Sequence, residues 1–153
     1  MFNVVLYQPE IPSNAGNIGR ICVGSNAKLH IIKPMRFLLT DKHLARAGLD
    51  YWDKLDITIY DDLSDFYEKC PQNRVYFCST KGNELYTQVK YEVGDFFMFG
   101  PETKGLPNEL LKDNNERVIK IPISNDIRSI NLANSVAIVL YEALRQTGFE
   151  GLS

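Results

Sequence analysis

Residues 95–107, DFFMFGPETKGLP, are an apolar run that passes directly into a loop containing two glycines and two prolines. An apolar run bounded by such residues predicts a buried strand, here over 95–99. The same arrangement of strand and polar loop occurs at 2–16, FNVVLYQPEIPSNAG, and at 118–135, VIKIPISNDIRSINLANS. The sequence therefore predicts three buried strands, each followed directly by a polar loop.

Strands and helices alternate along the chain. We predict strands over 2–7, 29–32, 57–60, 74–79, 95–99 and 118–121, and helices from near Asn17, over 42–47, over 61–70 and over 131–146. The alternation predicts an α/β fold, with one mostly parallel sheet flanked by helices in a single domain over 1–153. Because ligand sites in parallel sheets lie beyond the carboxyl ends of the strands, the three loops predict one composite site.

Composition excludes several classes of protein. Hydrophobic residues make up 44% of the chain and charged residues 24%, which is typical of a globular domain and not of a disordered chain. No apolar run is long enough to span a bilayer, and the start lacks a basic signal-peptide region, so we expect a cytoplasmic protein with no membrane partner. Three cysteines without a CxxC pair, and only two histidines, favour reduced thiols over disulfides or a zinc site. The formal net charge of −2 speaks mildly against nucleic acid, unless a local basic patch exists.

The first loop contains Asn14, Gly16, Asn17, Gly19 and Arg20. Its glycines would let the backbone approach a ligand, and Arg20 would lie one turn into the following helix, close to a phosphate bound at the helix N-terminus. A turn, a helix cap and a surface arginine explain the local pattern equally simply, and on that pattern alone this alternative is favoured. The spacing is not the GxGxxG of a dinucleotide site.

The other two loops are also polar and conformationally restricted. Glu102 is the only acidic residue between Gly100 and Pro107, although a simple strand-to-helix connection would explain this loop as well. Hydroxyl and amide side chains are concentrated at the start of the last helix, which is the most apolar helix, and capping accounts for only one of them. Such a group of side chains suits a ligand held against the helix N-terminus: Ser129, Asn131, Asn134 and Ser135.

Taken together, NAGNIGR (14–20), FGPETKGLP (99–107) and IPISNDIRSINLANSVAIVLYEALRQ (121–146) resemble the three motifs of SPOUT methyltransferases. NVVLYQPEIPSNAGNIGR (3–20), LHIIKP (29–34), ARAGLDYWD (45–53) and the short C-terminal tail are similar to the TrmL/YibK family, which 2′-O-methylates the wobble nucleotide of leucine tRNAs. The resemblance implies S-adenosylmethionine as cofactor, the anticodon stem-loop of tRNA as substrate and no metal. It also implies a C-terminal trefoil knot, and a homodimer through the first and last helices.

The resemblance also implies the site residues. Arg20 matches the family's catalytic arginine, and Asn14, Glu102 and Asn131 match other positions implicated in activity. Gly19 stands where an apolar or variable residue is expected. The implied cofactor pocket consists of Cys78, Ser79, Thr80, Gly100, Glu102, Ile121, Ile123, Ser129, Ile130 and Leu132.

Methyl transfer from a sulfonium is an in-line displacement that requires positioning and control of charge. Since a guanidinium stays protonated, we expect Arg20 to bind the adjacent phosphate and stabilise charge on the 2′-oxygen, with phosphate or water as the proton acceptor. Neither His30 nor His43 lies in a candidate loop, so we do not expect either to act as the base. Candidate RNA contacts are Tyr141 and the basic residues Arg20, Lys33, Arg36, Lys42, Arg46, Lys81, Lys104 and Arg128.

Two alternatives stay open. The same machinery could methylate another RNA, either ribosomal RNA or a different tRNA position, or could methylate a base. The chain could also be a non-catalytic module that binds RNA or nucleotides. The short chain without an added RNA-binding domain favours the wobble position. The presence of Asn14, Arg20, Glu102 and Asn131 favours an enzyme.

Overall fold

The computed structural model describes residues 1–38 and 49–153. Its strands are β1 (Asn3–Tyr7), β2 (Lys28–Ile32), β3 (Ile57–Tyr60), β4 (Val75–Cys78), β5 (Glu84–Leu85), β6 (Phe96–Phe99) and β7 (Val118–Lys120). They form one seven-stranded sheet in the order β3-β2-β1-β6-β4-β7-β5. Every strand pairing is parallel, so all carboxyl ends lie at the same edge. This confirms the predicted α/β fold, although the two-residue strand β5 was not predicted.

The helices predicted over 61–70 and 131–146 are present, and the first helix begins earlier than predicted. The described residues form α1 (Pro12–Gly24), α2 (Leu63–Lys69), α3 (Asn108–Asp113) and α4 (Leu132–Gln146), with short 3₁₀ helices at Leu49–Lys54, Gln72–Arg74 and Asn115–Arg117. Helix α3 was not predicted, and the helix expected over 42–47 lies outside the described residues. None of the helices in 1–38 and 49–153 is both long and apolar enough to cross a membrane.

The prediction that the first helix starts near Asn17 is wrong. Helix α1 begins at Pro12, whose fixed φ suits the first helical position and whose missing N–H is not needed there. Asn14 and Gly16 therefore belong to the helix and not to a loop, and Arg20 is its ninth residue. The error arose because asparagine and glycine are weak helix formers, which made this segment resemble a turn.

Packing against the 3₁₀ helix Leu49–Lys54 explains the glycines of α1. The Gly16 carbonyl accepts a hydrogen bond from the Tyr51 hydroxyl. A Cβ atom at Gly19 would lie 3.2 Å from Leu55 and 3.3 Å from Trp52, tighter than ordinary packing allows. Gly19, which stands where the family pattern predicted an apolar or variable residue, therefore serves the close approach of these side chains.

Apolar side chains cover both faces of the sheet. Alternate residues of β1 point to opposite faces, so Val4 packs with α1 and α4 whereas Val5 packs with α2 and α3. The predicted apolar face of α4 is buried within the chain: Val136, Val139, Leu140, Ala143 and Leu144 are at most 6% exposed, while Leu132 is half-buried. This stripe is therefore core and provides no support for a dimer interface. The trefoil knot stays a prediction.

A buried histidine of β2 forms hydrogen bonds with the two neighbouring strands, β1 and β3. His30 of β2 is 2.8 Å from the Tyr60 hydroxyl through Nδ1 and 2.9 Å from Asn3 Oδ1 through Nε2. Because the Asn3 amide nitrogen donates to the Gly94 carbonyl, its oxygen faces the imidazole. The imidazole Nε2–H therefore donates to Asn3, and Nδ1 accepts from Tyr60. Burial, together with the nearby Lys28 charge, lowers the pKa of His30 to about 4, so the ring is neutral near pH 7.

A charge pair holds the amino-terminal edge of the sheet. Arg74, just before β4, pairs with Asp95, just before β6. The Asp95 side chain is fully buried and also accepts a hydrogen bond from the Glu92 N–H at 2.8 Å, while Arg74 is one-third exposed. Burial raises the pKa of Asp95 and the Arg74 charge opposes this effect. The pair therefore fixes the starts of two central strands relative to each other.

Candidate active site

A cavity of about 570 Å³ opens at the carboxyl edge of the sheet, where β4, β6 and β7 end. The three predicted loops meet here: the first contributes Ile11 and Asn14, the second residues from 99–106 and the third residues from 119–132. Residues 78–81, at the end of β4, complete the lining. Parallel strands direct their carboxyl ends to one edge, which is why loops distant in sequence converge. The implied cofactor-pocket residues all line this cavity: Cys78, Ser79, Thr80, Gly100, Glu102, Ile121, Ile123, Ser129, Ile130 and Leu132.

The cavity combines apolar walls with accessible backbone. Leu106, Ile121, Leu132 and Val139 supply apolar surface. Among the described residues, no backbone–backbone hydrogen bond involves residues 121–130, which lie outside the helices and strands. The Asp126 N–H donates to the Ser124 hydroxyl at 3.3 Å, and the other backbone groups of this segment can bind solvent or a ligand. Cys78 is half-buried where it lines the cavity, and burial raises the pKa of its thiol.

Glu102, Asn14 and Asn131 form one hydrogen-bonded chain across the three segments. Glu102 Oε2 accepts from the Glu10 N–H at 2.8 Å, and Oε1 accepts from the Ile11 N–H at 3.1 Å and from the Asn14 amide at 3.3 Å. Asn131 in turn donates to Asn14 Oδ1 at 3.1 Å. Both oxygens of Glu102 are therefore engaged with the protein, which is the arrangement of a group that holds segments in place.

The expected phosphate position at the start of α1 is taken by the protein's own carboxylate. Glu102 accepts from the N–H of Ile11, the N-cap residue, where a helix N-terminus favours an anion. Arg20 lies six residues beyond Asn14, about 9 Å further along the helix axis, and not one turn from the helix start as expected. Arg20 is exposed, lies with its guanidinium carbon 5.8 Å from the centre of the Tyr51 ring, and does not line the cavity.

Gly100 lines the cavity and also packs closely against its own loop. A Cβ at Gly100 would lie 2.3 Å from both the Gly105 carbonyl carbon and the Leu106 nitrogen. The loop turns back on itself here, with the Gly105 N–H donating to the Pro101 carbonyl at 2.8 Å and Gly105 at φ +67°. Gly100 is therefore required by the internal packing of the loop.

Capping accounts for one of the polar residues at the start of α4, as expected, and an internal hydrogen bond accounts for a second. Asn131 is the N-cap residue and its Oδ1 accepts from the Asn134 N–H at 3.1 Å. The Ser135 hydroxyl donates to the Asn131 carbonyl at 3.1 Å and Ser135 also lines the cavity. Ser129 lines the cavity as well. A bound ligand is thus not needed to explain Asn131 and Ser135, whose side chains already bind the helix start.

Positive charge is concentrated around the cavity. Lys81, Lys104, Lys120 and Arg128 line it, and among residues 1–38 and 49–153 Glu102 is the only acidic lining residue, in contrast to the net charge of −2 for the whole chain. Of these cations only Lys120 was not predicted. Elsewhere, Lys33 pairs with Asp61 at 3.1 Å, and Arg36 and Tyr141 are exposed but do not line the cavity. Lys42 and Arg46 lie outside the described residues.

The residues near the site that were not identified from the sequence include Glu10, Ile11 and Thr103. Ile11 lines the cavity beside Asn14, and Thr103 donates two hydrogen bonds to Glu10. Their positions follow from contacts between segments about 90 residues apart, for which a single sequence offers no local signal. In the part of the chain that the structure describes, no group of three or more His, Cys, Asp or Glu residues could hold a metal ion.

A parallel α/β sheet with a cavity built from these three loops is the architecture expected of an RNA methyltransferase of the predicted class. The model of the SpoU rRNA Methylase family matches residues 1–141, and the chain belongs to this family. The predicted resemblance is thereby confirmed.

Several relatives within this family are named for methylation of one tRNA position. The tRNA (cytidine(34)-2′-O)-methyltransferase of Escherichia coli (strain K12) is 47% identical over 99% of this chain and 97% of its own length. The protein of the same name from Saccharophagus degradans is 43% identical over 99% of both chains.

Solved structures agree with the observed fold. A structure that concerns the 2-OH methylation of C/U34 on tRNA has a TM-score of 0.91 and 42% identity, covering 97% of both chains. The SpoU methyltransferase AviRb from Streptomyces viridochromogenes, in complex with AdoMet, has a TM-score of 0.83, covering 95% of this chain and 57% of its own. At 21% identity this second likeness shows the fold alone.

Proposed function

We propose that the protein transfers a methyl group from S-adenosylmethionine to the ribose 2′-hydroxyl of nucleotide 34, the wobble nucleotide, in leucine tRNAs. The observation that carries the proposal is that all the implied cofactor-pocket residues line one cavity, in a chain 47% identical to a tRNA (cytidine(34)-2′-O)-methyltransferase. Such a reaction belongs in the cytoplasm, where we propose that the protein acts.

The cavity fits S-adenosylmethionine in size and chemistry. Its volume of about 570 Å³ is within the range of small-molecule sites. Ile121 and Leu132 provide apolar walls suited to an adenine ring, and the backbone groups of 121–130 are accessible to read the polar edges of that ring. The bound cofactor would supply an activated methyl group on a sulfonium, which needs no metal ion.

The residues predicted to be catalytic have two kinds of role. Asn14, Glu102 and Asn131 hold the start of α1, the 100–107 loop and the start of α4 together, so their contribution is positioning. Arg20 is exposed on α1 and supplies the positive charge that binds the phosphate next to the target ribose and stabilises the 2′-oxygen as it loses its proton. That proton passes to phosphate or water.

The basic lining of the cavity suits an RNA substrate. Lys81, Lys104 and Arg128 would attract phosphates to the cavity, a contribution that does not depend on sequence and weakens with salt. The choice of nucleotide then depends on how the target ribose fits beside the cofactor. A homodimer forms part of the proposal through the resemblance. Its support in this chain is the outer face of α4, where Ala137 and Ile138 are half-buried and Tyr141 is 44% exposed.

The proposal is tested by incubating the purified protein with leucine tRNA transcripts and S-adenosylmethionine carrying a labelled methyl group, in the presence of a chelator. Mass spectrometry of nuclease fragments should place one 2′-O-methyl group on nucleotide 34. A matched transcript with 2′-deoxyribose at nucleotide 34 should remain unmethylated. Label at another position or in ribosomal RNA would favour the alternative target. Binding of S-adenosylhomocysteine without transfer to any RNA would favour a binding module.

A further inference from the structure

Glu10, which lies between β1 and α1, makes a contact that the proposed chemistry does not use. Its Oε1 accepts two hydrogen bonds from Thr103, one from the backbone N–H at 3.0 Å and one from the hydroxyl at 2.7 Å. Glu10 does not line the cavity, whereas Thr103 does. The side chain therefore binds the outer side of a loop whose inner side forms the site.

This contact is the second half of a reciprocal arrangement. The Glu102 carboxylate accepts from the N–H groups of Glu10 and Ile11, and the Glu10 carboxylate accepts from Thr103. Each acidic side chain thus binds the backbone of the segment that carries the other one. We call this pair of interactions, Glu10 to Thr103 and Glu102 to residues 10 and 11, the double carboxylate clasp.

The clasp connects two parts of the site that must keep a fixed separation. One is the start of α1, which carries Asn14 near its first turn and Arg20 further along. The other is the 100–107 loop, which forms one wall of the cavity through Gly100 and Glu102. A displacement of about 1 Å between reacting groups can lower a rate by about a hundredfold. The geometry of the clasp is therefore a factor in the rate itself.

From this arrangement we infer that Glu10 is a positioning residue for methyl transfer, acting through Thr103 to hold the cofactor loop against the start of the helix that carries Arg20. The inference rests on the proposed function. A hydrogen bond to an ionised acceptor is about twice as strong as one between neutral groups, so a carboxylate serves this role better than an amide.

The test compares Glu10→Ala, Glu10→Gln, Thr103→Val and the double variant Glu10→Ala/Thr103→Val. Glu116→Ala, at an exposed acidic residue outside the site, is the matched control. Single-turnover methyl transfer is measured at saturating tRNA and S-adenosylmethionine. Affinity for S-adenosylhomocysteine is measured by calorimetry. The exchange rate of the Thr103 backbone amide is measured by NMR.

For Glu10→Ala we expect the transfer rate to fall at least about tenfold. Cofactor affinity should change less than about threefold, since Glu10 lies outside the cavity. Glu10→Gln should recover most of the rate because its amide oxygen can still accept from Thr103. Because Glu10 acts through Thr103, the double variant should be no slower than Glu10→Ala. Exchange of the Thr103 amide should accelerate in Glu10→Ala and remain as in the wild type in Glu116→Ala.

Two results would overturn the inference. One is a transfer rate in Glu10→Ala within about twofold of the wild type, and the other is unchanged Thr103 amide exchange in that variant. A wild-type protein that transfers no methyl group to any RNA would instead contradict the proposed function, and with it a positioning role. The exchange measurement would still decide whether the clasp exists, so the two failures are distinguishable.

Discussion

Acidification should destabilise the protein through His30. In the folded protein burial lowers the pKa of this imidazole from its ordinary 6.5 to about 4, and the hydrogen bond from the Tyr60 hydroxyl to Nδ1 requires the neutral ring. The unfolded chain therefore takes up a proton as the pH falls through 6.5, whereas the folded protein does so only near 4. The contribution of His30 to stability is fully present above pH 6.5 and is lost between pH 6.5 and about 4. Since one pKa unit corresponds to about 1.4 kcal/mol, the loss amounts to about 3 kcal/mol.

The assay is urea unfolding followed by circular dichroism at several values between pH 7 and pH 4, for the wild type and for His30→Gln. The variant cannot titrate at this position, so it should lose about 3 kcal/mol less than the wild type over that range, whatever its stability at pH 7. NMR should also show the His30 ring still neutral at pH 5.5. Parallel stability curves for the two proteins, or a His30 pKa near 6.5, would refute the reasoning, because either result means that burial does not penalise the charged ring.

Three further predictions concern the site and the sheet. Arg20→Ala should lower the rate of single-turnover methyl transfer by about a hundredfold or more, while calorimetry should show unchanged affinity for S-adenosylhomocysteine. Arg20→Lys should also be badly impaired, because lysine lacks the planar donor fork of arginine. A near wild-type transfer rate in Arg20→Ala would contradict the catalytic role. Gly100→Ala should weaken cofactor binding and lower the free energy of unfolding by at least about 2 kcal/mol. Its control Gly24→Ala, where a Cβ meets nothing within 4 Å, should be neutral or raise stability by up to about 1 kcal/mol; equal effects of the two changes would contradict the packing argument. Arg74→Met should cost about 3 kcal/mol in denaturant unfolding by leaving Asp95 buried without its charge partner, and adding Asp95→Asn should restore part of the loss; no loss in Arg74→Met would show that the pair contributes nothing.

The sequence was sufficient to predict the central strands and α4, because their patterns are long or strongly apolar. The segment 96–99 is wholly buried, as its unbroken apolar run predicts, and α4 begins and ends within one residue of its predicted bounds. The order of strands in the sheet has no local signal, nor does β5, whose two residues pair with β7. Helix α1 was misplaced because it is held by tertiary packing, with Ile18 and Cys22 buried and Gly19 close to Trp52, and local propensity does not contain this packing.

For the site, topology was more informative than individual residues. The convergence of three loops at one edge follows from a general property of parallel sheets, and the loops do meet there. The roles of single residues were harder to infer, since Gly100 serves the packing of its own loop and Glu102 binds backbone N–H groups. Glu10 was overlooked because its partner is 93 residues away. A glycine or a glutamate has the same appearance in a sequence whether it meets a ligand or another part of the chain.

The arrangement of charge within the site limits the mechanism. Glu102 is the only acid that lines the cavity in the part of the chain that the structure describes, and both of its oxygens accept hydrogen bonds from the segment at residues 10–14. Using Glu102 as a base would break the contacts that hold the start of α1 in place. His30 is buried in β2 with both ring nitrogens engaged, and the Cys78 thiol has a raised pKa. The described residues of the cavity thus provide positioning and positive charge. In the proposed function, a proton leaving the 2′-hydroxyl passes to the RNA phosphate or to water, and Arg20 is the residue proposed to stabilise the oxygen that remains.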